Sequence, residues 1–340
     1  MFIKSKSEFQ LLFIYMGSTR IATFDILKGI GILLVIIGHT FMKEIGPYIQ
    51  AFHMPLFFIV AGYFFKYKPL RIQLVRDFRR LIVPYFFVVI TTMLIAFAKD
   101  FMATGEINLH LGTLYECGTP AWFLLALYGT KQIFNLLFQF SKQYYLFYAF
   151  LLSSIPCLIA HYIEINPTLA VGSSICGVFF YAVGHYVNAN QILMKSEPYQ
   201  AYIVVIAILV WLNTSIFGAV DMHYCIFKLW VMDFLGACSG VYLCYVLCNF
   251  IKDRTVRVKN LLTMIGYYSF VIYSFHAIEY VFPDWHQITS FSDGTALRPF
   301  VILISRLLLA AVFVLITINC RFLKNMFFPS FSCNICQNSK

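Results

Sequence analysis

The chain has 340 residues, of which 61% are hydrophobic and only 12% charged, and its mean hydropathy is +0.78. A soluble domain carries about twice that charged fraction, so the composition points to a polytopic membrane protein, and no stretch is polar enough to form a separate soluble domain. The formal charge of +10 would suit a nucleic-acid partner in total, but its distribution along the chain points instead to the cytoplasmic faces of a membrane.

Residues 1–23 precede the first predicted span. Phe9 to Met16 is apolar but too short to cross a bilayer, and no convincing cleavage site follows it. Met16-Gly17-Ser18-Thr19-Arg20 makes a natural start, so Met1 to Tyr15 reads either as a mis-set start or as a loose interfacial segment. The first span, near 24–43, carries three ionisable groups, Asp25, Lys28 and His39. Eleven helical steps make roughly three turns, so Lys28 and His39 share one face about 16 Å apart, and Asp25 is within pairing reach of Lys28. Ionisable side chains inside a span are a functional-site signal, because each costs a few kcal/mol to insert. The same residues also fit an interfacial Asp25–Lys28 pair with His39 capping the outer end.

Further spans are predicted near 48–65, 81–99, 120–140, 145–162, 168–187, 199–218, 227–250, 262–282 and 298–319, which makes an all-α protein of about ten transmembrane helices. Of the 25 lysines and arginines, all but five fall on one side of this arrangement, the exceptions being Lys43, Lys99, Lys228, Arg298 and Arg306. That asymmetry predicts that both termini are cytoplasmic. Residues 24–320 then form one transmembrane domain and 321–340 a cytoplasmic tail. Most of the ten cysteines lie in apolar runs and behave as small hydrophobes. Cys333 and Cys336 form a CxxC without a second ligand pair, so no metal site is expected.

The second span opens with His53-Met54-Pro55, which sets His53 at the outer end, close in depth to His39. Two histidines at one level could hold and deprotonate a hydroxyl; His53 also fits a helix-capping role. Trp122 begins the fourth span at the outer interface, where it suits an aromatic-belt anchor or a platform on which a sugar stacks. In the ninth span Ser269, Tyr273, His276 and Tyr280 form one polar stripe with Glu279 beside it, expected to face the bundle interior. Intramembrane His and Lys also suit a secondary transporter, although no internal repeat is visible.

These residues resemble the membrane acyltransferase-3 family. Lys28 to His39 matches its Arg/Lys-x10-His signature, and the run from Phe52 to Phe65 matches the next helix of the fucose 4-O-acetylase-like branch. The resemblance continues through Arg79-Arg80-Leu81-Ile82-Val83-Pro84-Tyr85, Pro120-Ala121-Trp122-Phe123-Leu124 and Ser269 to His276. It implies a bacterial inner-membrane enzyme that transfers acyl groups, usually acetyl from cytoplasmic acetyl-CoA, to sugars of surface or secreted glycans, with a glycan or lipid-linked sugar as acceptor and no metal. His39 takes the place of the family's histidine, as general base or transient acyl carrier. Lys28 takes its basic partner's place, losing the bidentate fork that arginine has in many members. Arg76-Asp77-Phe78-Arg79 fits the family's Arg-x-x-Arg, which makes Arg76, Arg79 and Arg80 the candidates for the coenzyme's phosphates; without the resemblance they would read as an ordinary basic loop facing anionic lipid. His53, Trp122, Ser269 and His276 are the candidates on the acceptor side.

Overall fold

The computed structural model describes residues 22–105, 118–163, 170–254, 256–279, 295 and 297–329. Tyr280, Cys333, Cys336 and the segment before residue 22 lie outside them. Among the described residues the protein is helical apart from one two-stranded hairpin. Six stretches are long and apolar enough to cross a membrane: Ala22–Thr40, Leu70–Thr104, Tyr145–Tyr162, Glu197–Phe217, Val231–Arg254 and Arg298–Asn319. A bent pair, Val256–Tyr267 with Ser269–Glu279, makes a seventh if taken as one span.

Each of the ten predicted stretches nevertheless holds a helix, and the shortfall has physical causes. In the second stretch α2 (Gly46–Gln50) is followed by α3 (His53–Tyr63), whose 11 residues reach only about 16 Å. In the fourth and sixth, α6 (Trp122–Phe140) and α8 (Val171–Ala189) are 19 residues each but carry buried polar groups, Thr130, Gln132 and Asn135 on α6 and Ser173 and Ser174 on α8. These helices face protein more than lipid and spend polar side chains on their neighbours: Thr130 Oγ1 donates to the Ser174 carbonyl at 2.6 Å.

The organising helix is α1 (Ala22–Thr40), which covers the predicted first span as far as Thr40, with His39 in its last turn and Asp25 in its first, where a carboxylate suits the helix dipole. It packs on α3, on α11 (Val231–Arg254), and on α12 (Val256–Tyr267), α13 (Ser269–Glu279) and α14 (Arg298–Asn319). Its closest approach is to α12. A side chain at Gly266 would fall on the Asp25 carbonyl, and one at Gly29 on the Leu262 carbonyl, so the two backbones touch where neither residue has a Cβ.

The ninth predicted span is corrected from one straight helix to two joined at a 63° bend around Tyr268. The Ser269 hydroxyl donates to the Gly266 carbonyl at 2.9 Å, a side-chain bond that competes with the helical ladder where α12 is pressed on α1. A second departure lies between α4 (Leu70–Asp77) and α5 (Val83–Thr104), where Phe78–Ile82 forms a π-helical turn closed by the Val83 N–H on the Phe78 carbonyl. Pro84 has no N–H to give the Arg80 carbonyl, and the ladder widens just before it.

The eighth helix begins at Val231, four residues later than predicted, because Val220–Asp221 and Ile226–Phe227 pair as antiparallel strands β1 and β2. The fully buried Asp233 holds this hairpin to α11, accepting from Leu229 N at 2.7 Å and Ala219 N at 3.3 Å. Phe227 stacks on Phe234 with ring centroids 4.3 Å apart, in the main core cluster. The remaining helices are α7 (Tyr145–Ile163), α9 (Ile192–Lys195), α10 (Gln200–Phe217) and α15 (Arg321–Phe327). Leu323, Met326 and Phe327 of α15 pack with Val271, so this part of the expected tail belongs to the bundle.

The glycine contact generates a stability prediction. Gly266→Ala must push α12 off the Asp25 carbonyl and should cost about 1–3 kcal/mol, read as a lower thermal midpoint in detergent. Gly46→Ala, whose methyl would meet Met42 Cγ at 3.6 Å, should leave the midpoint nearly unchanged.

Candidate functional site

Two groups of polar residues sit at opposite ends of α1. At its first turns Lys28 Nζ pairs with Asp25 Oδ1 at 2.6 Å, with Asp25 buried and Lys28 about a quarter exposed. Thr23 Oγ1, one turn earlier, donates to Asn249 Oδ1 at 2.9 Å, which brings in the basic end of α11 with Lys252 and Arg254.

The π-turn belongs to a second polar assembly. Asp77, fully buried, meets Lys131 Nζ at 2.8 Å and Arg76 Nε at 3.1 Å, and Gln132 Nε2 donates to its other oxygen at 3.4 Å. Gln73 Nε2 donates to the Lys131 carbonyl at 2.7 Å, which fixes α4 to α6. Arg76, Arg79 and Arg80 therefore do not form a uniform trio. The Nε of Arg76 is spent on Asp77, while Arg79 and Arg80 are exposed on the widened turn, with Arg76 and Asp77 close enough to act on Arg80. Lys131, absent from the sequence candidates, joins this cluster only through the tertiary pairing of α4 with α6.

At the other end of α1 the histidines converge. The exposed His39 ring lies 5.2 Å from that of His276 on α13, at an angle of 45°. His53, His276 and Arg306 are all within electrostatic range of His39. His53 is buried, with Nδ1 3.1 Å from the Ile49 carbonyl, so one of its nitrogens serves the turn that starts α3. His276 Nδ1 stands 2.9 Å from Glu279 Oε1, Arg306 Nε 3.1 Å from the same oxygen, and Arg306 Nη1 donates to Thr40 Oγ1 at 2.9 Å.

Trp122 flanks this end, its ring 5.2 Å from His223 in the hairpin turn. Asp221 Oδ1 accepts the backbone N–H of His223 at 2.9 Å and of Tyr224 at 3.2 Å, an Asx turn that fixes the His223 ring over Trp122. Burial pushes the His223 imidazole below its ordinary pKa, with Asp221 opposing, and its buried Nδ1 has no hydrogen-bond partner among the described residues.

The structure thus brings His39, His53 and His276 together and sets Trp122 nearby, while Ser269 is spent on the helix break and the Tyr273 hydroxyl on the Pro120 carbonyl at 2.9 Å. Asp25 and Lys28 stand at the far end of α1, on the side of the arginines. Sequence reasoning did not assign Glu279, left Arg306 as a stray charge near the outer side, and missed Thr40, Asp221 and His223. The only signals were the i, i+3 spacing of His276 and Glu279 and an arginine inside a span. No group of three or more His, Cys, Asp or Glu that could hold a metal ion occurs among the described residues.

Asp77 generates the prediction here. Asp77→Asn leaves two cations without their buried anion and should cost about 3–5 kcal/mol, a large fall in thermal midpoint. Arg76→Ala leaves Asp77 with Lys131 and should stay folded, with a much smaller fall.

Comparison with known proteins matches residues 21–320 to the model of a family described as an acyltransferase domain. No curated protein and no solved structure matches the chain. With nearly its whole length covered, the chain belongs to the acyltransferase-3 family of membrane acyltransferases.

Proposed function

We propose that the protein is an O-acetyltransferase of a bacterial inner membrane, in the fucose 4-O-acetylase-like branch, which moves acetyl from cytoplasmic acetyl-CoA to a sugar hydroxyl of a surface or secreted glycan. In this reading the chain crosses the membrane about ten times, with both termini and the basic end cytoplasmic. The observation that carries it is α1 itself, one uninterrupted helix with an ion-paired lysine near its first turn and a histidine cluster at its last.

The exposed Arg79 and Arg80 on the π-turn bind the phosphates of the donor, since guanidinium forks match phosphate oxygens. Arg76, held by Asp77, contributes less to the donor. The pantetheine arm extends along α1 past Lys28 towards His39, with the Asp25–Lys28 pair keeping the inner part of this path in register. His39 acts as base on the sugar hydroxyl or carries the acyl group transiently. A thioester is already activated, so a positioned imidazole is sufficient chemistry. Trp122 and His53 line the acceptor side, with a sugar face stacked on the indole.

The test is transfer of label from radiolabelled acetyl-CoA to glycan by the purified protein. His39→Ala should lower turnover by at least about 100-fold, in the range that loss of a general base produces, with an unchanged thermal midpoint. Arg79→Ala and Arg80→Ala should each weaken acetyl-CoA binding about tenfold, as loss of one charge-assisted contact of about 1–2 kcal/mol does, and leave acceptor affinity alone. Wild-type levels of transfer by His39→Ala would remove the catalytic role. Unchanged donor affinity in both arginine variants would return the turn to an ordinary basic loop.

A further inference from the structure

The polar network behind His39 joins three helices and begins and ends beside α1. His276 and Glu279 face each other across one turn of α13, and both are almost fully buried, at 6% and 2% exposure. The same Glu279 oxygen meets Arg306 of α14 at 3.1 Å, and Arg306 returns to α1 by donating to Thr40, the residue after His39. One arm therefore reaches α1 through the facing rings of His276 and His39, and the other through Arg306 and Thr40.

Charge balance alone does not account for this arrangement. Glu279 and Arg306 already neutralise each other, so a buried ion pair would be complete without an imidazole. An imidazole that donates its Nδ1–H to a carboxylate has its tautomer and orientation fixed, and it presents the Nε2 lone pair to whatever lies before it. A nucleophile or base backed by an oriented group, which is in turn backed by a carboxylate, is the general layout of proton-transfer sites. Ring centroids 5.2 Å apart leave the two imidazoles room for a direct N–H···N contact or for one bridging water. The second carboxylate oxygen, Glu279 Oε2, is buried and has no hydrogen-bond partner among the described residues, so the anion retains accepting capacity within the network.

We propose that His276 is a second proton carrier in the acyl transfer, with Glu279 and Arg306 as the positioning residues that hold it in register with His39. This rests on the acyl-transfer reading and selects its base route. The sugar hydroxyl gives its proton to His39 as its oxygen bonds to the acyl carbon. The proton passes from His39 to Nε2 of His276. The carbon–sulfur bond breaks with its electron pair on sulfur, and the thiolate takes the proton from His276. Both imidazoles end neutral, and no further reactant is needed.

The test uses the purified full chain with acetyl-CoA and a glycan acceptor. His276→Ala should lower kcat about 100-fold with the KM for acetyl-CoA unchanged, and added imidazole should restore at least about tenfold in a saturable way. The rate in mixtures of light and heavy water should curve for the wild type, as two moving protons require, and become linear in the variant. Glu279→Gln, which keeps the shape of the side chain, should lower kcat about tenfold and flatten the same curve. A folded His276→Ala within threefold of wild type, or a loss that imidazole does not restore, overturns the relay while leaving the acyl-transfer reading intact. If His276→Ala does not fold, Glu279→Gln decides, and an unchanged kcat and isotope curve there overturn the relay. A wild-type protein that transfers no acyl group from acetyl-CoA overturns both readings.

Discussion

A charge taken out of water inside an apolar bundle must meet a partner, and the architecture of this protein follows from how its buried carboxylates meet theirs. Asp25 takes Lys28 within α1; Asp77 takes Lys131 and Arg76 and ties α4 to α6; Asp233 takes the backbone of the hairpin and fixes it on α11; Glu279 takes Arg306 and His276 and joins α13 to α14. Three of these pairings cross between elements. The polar groups are therefore structural, and the chemical roles proposed for them are separable from that one only by changing one partner at a time.

Helix α1 is the element on which the arrangement depends. Its contact with α12 at Gly29 and Gly266 sets the depth of the Asp25–Lys28 pair, and the bend that follows at Tyr268 turns α13 so that His276 faces His39. The same bend uses the hydroxyl of Ser269, which explains why the serine that opens the polar stripe has no part in the histidine cluster. The π-turn has a parallel effect, since Arg79 and Arg80 are exposed on a widened ladder while Arg76 pairs with Asp77.

What the sequence makes legible is whatever lies within one helix. The continuous helix that carries Lys28 and His39, and the Asp25–Lys28 pairing, depend on local spacing, and the geometry matches them. The α10 bounds of 200–217 fall almost on the predicted span because residues 201–212 are an unbroken apolar run and the helix ends at Gly218. Contacts that join distant segments carry no such signal. Thr40 and Arg306 are 266 residues apart, and neither looks like part of a site until α14 is laid against α1. In the sequence Arg306 reads as an isolated outer charge, and Glu279 as a neighbour of a stripe, because the two meet only in the folded bundle. The hairpin was hidden for a related reason: its strands are two residues long, and its stability comes from Asp233 and aromatic stacking, not from any alternating pattern.

The central claim is that donor and acceptor meet this protein from opposite sides, with α1 running between them. Sealed proteoliposomes with a single orientation test it directly, with radiolabelled acetyl-CoA on one side of the bilayer and the glycan acceptor on the other. The account predicts label on the glycan only when acetyl-CoA is on the side of the arginine turn and the acceptor is on the side of the histidine cluster. Transfer that requires both reactants on the same side would contradict it.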